Sequence, residues 1–126
     1  MNISSIGIDI QDIRRFRLAV ERSRERFLKR IFTEEELRYC FKMRDPIPHL
    51  AARFSAKEAF IKALGLKDRF SWKEIEILLD EGGPKFKLSE RVRDELEKRG
   101  FSSASLSISH SGDYAIAAVI LERRKD

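Results

Sequence analysis

Tyr114 to Leu121 is the longest uninterrupted apolar run in the chain, eight residues without a polar break. As a helix it falls well short of the roughly 18 to 20 residues that cross a bilayer. As a strand it is apolar on both faces, because successive side chains point to opposite sides. Such a strand belongs inside a sheet. With Ala104 to Ser109 it flanks a turn at His110-Ser111-Gly112-Asp113, so the chain is expected to close with a pair of strands, the second running from Tyr114 to about Glu122.

The other segments read more conventionally. From Ile3 to Ile10, Ile6, Ile8 and Ile10 alternate with Gly7 and Asp9, which predicts a strand with one apolar face and places Asp9 on the side away from the core. Asp12 caps a helix from Ile13 to about Arg30, with Ile13, Phe16, Val20, Phe27 and Ile31 on its inner side. Thr33 and Glu36 form a capping box that starts a short helix to about Lys42, and Asp45-Pro46-Ile47-Pro48 breaks it. A helix from about Ile47 to Leu64 closes at Gly65. On it Ile47, Leu50, Phe54, Ile61 and Leu64 share an arc of about 100°, with Glu58 and Lys62 just beyond one edge. Lys57 falls inside that arc, so its ammonium needs an anionic partner.

Trp72 to Asp80 alternates as a strand, although Ser71 with Glu74 also fits a helix start. Glu81-Gly82-Gly83-Pro84 is a turn, Lys85 to Leu88 a short returning strand, and Ser89 to Arg99 a helix ended by Gly100. The sum is α+β: one small domain over residues 1–126, a mixed or antiparallel sheet packed on helices.

Composition excludes several classes. Apolar residues make up 42% of the 126 and Gly plus Pro only nine, far from disordered or collagen-like chains. The start lacks a signal peptide's basic and apolar regions, and the single cysteine, Cys40, cannot form an internal disulfide. A cytoplasmic address and no membrane partner are expected. Charge is concentrated: between Ile13 and Arg30 eight basic residues stand against Glu21 and Glu25. That patch would draw an acidic protein, an anionic surface or nucleic acid.

Two constellations could carry chemistry. Asp9 beside a glycine at a strand end, and Glu58 one helical turn before Lys62, would suit Mg²⁺, which takes hard oxygen ligands and keeps waters and phosphates. The alternative is an ordinary i,i+4 ion pair with a separate strand-end aspartate. Ser109 to Asp113 holds the three residue types of a hydrolase triad, but neighbours along a strand point to opposite sides, so an anion cradle or a plain hairpin fits better. Walker, dinucleotide-binding and zinc-ligand patterns are absent from the sequence.

Three blocks taken in order resemble the 4′-phosphopantetheinyl transferase superfamily in its small, single-domain form: Gly7-Ile8-Asp9-Ile10, the run Arg53-Phe54-Ser55-Ala56-Lys57-Glu58-Ala59-Phe60-Ile61-Lys62-Ala63-Leu64-Gly65, and Ser107-Ile108-Ser109-His110-Ser111. The resemblance implies transfer of 4′-phosphopantetheine from coenzyme A to a serine of apo acyl carrier protein, releasing adenosine 3′,5′-bisphosphate, in fatty acid biosynthesis. It implies Asp9 and Glu58 as Mg²⁺ ligands, Lys62 on the phosphates, and Glu58, directly or through a metal-bound water, as base for the serine. It also implies Arg53, Lys57, His110 and Ser111 at the nucleotide and its 3′-phosphate. Arg15, Arg22, Arg26 and Phe27 would meet the acidic carrier protein, and three copies would assemble with sites between them. The sequence departs from the family pattern after Gly65, where Leu66-Lys67-Asp68-Arg69 replaces a second glycine, and at Gly83-Pro84-Lys85. The competing readings are a basic nucleic-acid-binding module, which would bind salt-sensitively and without divalent metal, and a non-catalytic relative that binds without turnover.

Overall fold

A computed structural model describes residues 3–66 and 70–123; the expected difference at residues 67–69 lies outside them. The chain runs β1 (Ile3–Asp12), α1 (Ile13–Ile31), α2 (Glu34–Phe41), α3 (Pro46–Leu64), a single 3-10 turn (Trp72–Glu74), β2 (Ile75–Asp80), β3 (Gly83–Leu88), α4 (Glu90–Lys98), β4 (Phe101–Ser111) and β5 (Tyr114–Arg123). The expected α+β class holds, and every strand pairing among the described residues is antiparallel. One sheet has the order β1-β5-β4, and β2 pairs with β3 in a separate hairpin. The doubly apolar strand β5 is thus the central one, as its pattern requires.

The helix starts follow their caps. Asp12 Oδ1 accepts the Arg14 and Arg15 amides at 2.9 and 3.3 Å, and the Thr33–Glu36 capping box is formed in both directions. Asp45 accepts the Ile47 amide at 3.1 Å with Pro46 at the first helical position. Gly65 ends α3 in the left-handed conformation, φ +77°. Two details depart from the sequence reading. Residues Trp72–Glu74 form a capped 3-10 turn instead of the start of the strand, because Ser71 and Glu74 satisfy each other's backbone donors. And α1 is two helical pieces joined at Arg24, whose φ of +46° and ψ of −127° are not helical.

The larger departure is β1. Ile6, Ile8 and Ile10 are 57–59% exposed, whereas Gly7 and Asp9 are buried. The helix α3 lies against the face with the small residues, and the isoleucines point the other way. The register makes this a whole-sheet property: Ile6, Ile120 and Ser105 form one outer row, Ile8, Ala118 and Ser107 the next, Ile10, Ile116 and Ser109 the third. Inward rows are closed by α3, with Ala115, Ala117, Val119 and Leu121 of β5 all essentially inaccessible.

Two apolar clusters flank this contact. One gathers Phe60, Leu64, Ile75, Ile77, Val92 and Val119 among others, and the second holds Phe16, Phe32, Leu50 and Ala52. Residues of α3 belong to both.

Candidate active site

The site is built where β1 and α3 run side by side. Two strand residues advance about 6.7 Å and four helix residues about 6 Å, so positions 5, 7 and 9 keep step with 63, 59 and 55. Ser5 Oγ donates to the Ala63 carbonyl at 2.6 Å and Ser55 Oγ to the Asp9 carbonyl at 2.9 Å. Between them Gly7 passes directly beneath Ala59, and a Cβ there would run into the Ala59 carbonyl oxygen. This close approach carries Glu58 and Lys62 alongside Asp9.

The Lys62 ammonium donates to Asp9 Oδ1 at 3.0 Å and to the Ile8 carbonyl at 3.3 Å, and Gln11 Nε2 donates to Asp9 Oδ2 at 2.7 Å. Asp9 is buried while Lys62 reaches it from solvent. Glu58 is half-buried, and its carboxyl is pushed up from the ordinary carboxylate range, first by burial and then by the negative charge of Asp9, against the pull of Lys62. Two carboxylates and a lysine therefore share one electrostatic site. Its donors are all oxygen, and Asp9 is already drawing a cation, so the residues fit a hard divalent ion such as Mg²⁺ better than zinc. Among the described residues, clusters of three or more His, Cys, Asp or Glu are absent. Beside Glu58 opens a cleft of about 440 Å³, walled by Ile61, Leu66, Phe70, Trp72 and Ile75, with Arg30 at its rim.

A family model described as the 4′-phosphopantetheinyl transferase superfamily matches residues 5–119, a span that includes β1, α3 and the β4–β5 pair. The chain belongs to this superfamily.

Among curated relatives, the holo-(acyl carrier protein) synthase of Syntrophotalea carbinolica is 42% identical over 95% of this chain and 96% of its own length. Among solved structures, the synthase of Neisseria meningitidis superposes with a TM-score of 0.88 at 37% identity, covering 96% of this chain and 99% of that one. The Helicobacter pylori synthase in complex with coenzyme A gives 0.80 at 32% identity, covering 93% and 99%.

For this superfamily member the remaining expected residues are distributed unevenly. Lys57 is fully buried, its ammonium donating to Glu36 Oε1 and the Ile31 carbonyl, both at 2.7 Å, and to the Trp72 carbonyl at 3.1 Å. Burial lowers its proton affinity, and Glu36 offsets that only in part. The anionic partner required by its place in the apolar arc is thus Glu36, and its three donor hydrogens are spent inside the fold instead of on a phosphate. Phe27 is half-buried, edge to face with Phe16 at 5.6 Å and near Phe54 at 6.2 Å, so most of its ring belongs to the second cluster. Arg15, Arg22 and Arg26 are exposed on α1. His110 and Ser111 lie at the end of β4. His110 shares the inner face with Asp9 but lies two strands away and one row on, in the row of Ala115 and Gln11, about 12 Å off by strand geometry, so one chain does not gather all the expected residues at one point.

Sequence reasoning missed Gln11, which its same-face position two residues after Asp9 could have suggested. It also missed Glu36 as the partner of Lys57, since the capping box already accounted for that carboxylate, and Trp72 and Phe70 as cleft walls.

Proposed function

We propose that this chain acts as a holo-(acyl carrier protein) synthase over its whole length, as one domain, moving 4′-phosphopantetheine from coenzyme A to a serine of apo acyl carrier protein. The observation that carries this reading is the meeting of Asp9, Glu58 and Lys62 beside a cleft lined by both apolar residues and Arg30 and Ser71. In the reaction the serine Oγ bonds to the phosphorus on the pantetheine side, and the bond from that phosphorus to the bridging oxygen breaks, leaving adenosine 3′,5′-bisphosphate. Asp9 and Glu58 would hold Mg²⁺. That ion, when bound, supplies charge neutralisation on the pyrophosphate. Lys62 places its ammonium where the leaving phosphate gains charge. Glu58, with its raised proton affinity, is suited to take the serine proton. The cleft beside it suits the pantetheine arm, and Arg53, His110 and Ser111 the nucleotide.

The exposed arginines Arg15, Arg22 and Arg26 favour an acidic carrier protein, steering it by charge, with the open edge of Phe27 as its apolar neighbour. A fatty-acid carrier in the cytoplasm suits both this charge and the single buried thiol, Cys40. The outer sheet face, with exposed isoleucines on β1 and Tyr114 and Ile116 on β5, supports a homotrimer. An apolar face of that extent favours cover by other copies, and assembly would bring His110 of one copy to Asp9 of the next.

The test is intact-mass spectrometry of apo acyl carrier protein incubated with the protein, coenzyme A and Mg²⁺. A gain of one phosphopantetheine, abolished by EDTA and by replacing the acceptor serine with alanine, is expected. No gain across several carrier proteins would leave a binding relative without turnover.

A further inference from the structure

The Asp9 side chain is 8% exposed, and a carboxylate so buried has to be held by donors. Among the described residues two side chains donate to it: the Lys62 ammonium to Oδ1 at 3.0 Å and the Gln11 amide to Oδ2 at 2.7 Å. They differ in kind. The Lys62 side chain is 54% exposed, and its charge competes with any other cation for the same carboxylate. Gln11 is half-buried and neutral, so it steadies the carboxylate without cancelling its charge.

Gln11 reaches Asp9 because residues two apart in a strand share a face. The rest of that face offers no substitute. Gly7 precedes Asp9 on it, Ala117 of β5 lies opposite, and Val119 and Ala115 flank Ala117; none of these four carries a side-chain donor. From α3, Ser55 Oγ donates to the Asp9 carbonyl at 2.9 Å and fixes the backbone. What remains is rotation about the bond to the carboxyl group, a terminal torsion whose energy profile is broad. The Gln11 bond sets that rotation.

We propose that Gln11 is a positioning residue for a divalent cation at this site: its amide fixes the plane of the Asp9 carboxylate, so that an arriving ion meets an ordered ligand that keeps its full charge. That the ion is the Mg²⁺ of a transferase rests on the reading above; the tether rests on the bonds made to Asp9. Groups that hydrogen-bond a metal-binding carboxylate contribute about ten- to a hundredfold in metal affinity. A cationic donor at position 11 would not serve, since it would oppose the ion as Lys62 does.

Mn²⁺, which like Mg²⁺ takes carboxylate and water oxygens, is the probe. Its binding is followed by electron paramagnetic resonance, with and without coenzyme A, on the parent protein and on Gln11→Met, which keeps the length of the side chain and loses the donor. The variant is expected to bind Mn²⁺ about tenfold more weakly, to melt within about 2 °C of the parent protein, and to bind coenzyme A in metal-free buffer with unchanged affinity. The Mg²⁺ concentration giving half-maximal transfer should rise by the same factor, with the rate at saturating Mg²⁺ within about threefold of the parent's. Gln11→Val, β-branched and suited to a strand, repeats the test should the methionine variant fold poorly. Mn²⁺ affinity equal to the parent's, an equal fall in metal-free coenzyme A binding, melting of both variants well below the parent, or no Mn²⁺ bound by the parent would overturn the role. If Mn²⁺ binding falls as expected while carrier protein gains no mass, the transferase reading fails and the tether stands.

Discussion

Gly7 passes so close beneath Ala59 that a side chain on it would meet both the Ala59 carbonyl oxygen and, at 3.0 Å, the Ala63 Cβ. The obstacle is helix backbone and cannot rotate aside. Gly7→Ala is therefore expected to lift α3 from β1 and cost about 3 kcal/mol of stability. Because the same contact sets Glu58 and Lys62 against Asp9, transfer should fall about a hundredfold even in the fraction that stays folded. Denaturant melts and single-turnover rates on the same sample check both.

Glu58→Gln keeps the shape of the side chain and removes its charge. It is expected to leave the melting temperature unchanged or raised, since a carboxyl disfavoured by burial and by Asp9 is replaced by a neutral amide. Transfer should drop at least about a hundredfold. Activity close to that of the parent protein would remove Glu58 from the metal site and from the base role together.

Lys57→Met leaves Glu36 without its ammonium partner in a fully buried position. Breaking such a pair from one side costs about 3–5 kcal/mol. A loss below 1 kcal/mol in urea unfolding would show that the network tolerates an open carboxylate. Added phosphate or coenzyme A should not alter the size of the loss, since the ammonium faces inward.

Ile8→Asp changes a side chain on the outer face, while only the backbone carbonyl of this residue meets α3, through Lys62. The expected product is a folded single chain by sedimentation, whereas the parent protein is expected to sediment as three copies, and the variant should transfer poorly if sites are shared between copies. A parent protein that sediments as one chain at micromolar concentration would refute the assembly.

Glu74 supplies an acid-side prediction. Its carboxyl is held down to about 2, chiefly by the Arg91 guanidinium, with the Ser71 amide and Ser89 hydroxyl assisting. A carboxyl with a lowered folded-state value stabilises the fold fully above the ordinary carboxylate range, near 4.5, and loses that contribution as pH falls toward 2. Glu74→Gln should therefore flatten the dependence of the urea midpoint on pH between 4.5 and 2, and leave the dependence above 6 unchanged.

The sequence made the elements easy to find and their faces hard to assign. Caps and turns are local chemistry, so Asp12, Thr33 with Glu36 and Gly65 were legible, and so was a turn within His110–Asp113, although the strand runs two residues further into it, to Ser111. β1 was misread because three isoleucines outweigh one glycine and one aspartate in any hydrophobicity count. What decided its orientation was the steric need for a residue without a side chain under Ala59, a long-range fact. The pairing of Asp9 with Glu58 and Lys62 was expected from the family resemblance, since spacing alone left an ordinary i,i+4 ion pair with a separate strand-end aspartate open. The engagement of Lys57 with Glu36, and of Phe27 with Phe16, depended on which helices cross, information that periodicity within one helix does not hold.

The sharing of α3 between both apolar clusters bears on how the molecule opens. An amide in the middle of α3 is released to solvent only if both clusters part at once, so its hydrogen exchange should track global unfolding. The amides near Arg24, at the break in α1, have no comparable protection and should exchange through small local fluctuations. The carboxylate Glu58 would thus ride on the last segment to let go, while the arginine-bearing surface breathes, and an arriving protein could remodel the second without loosening the first.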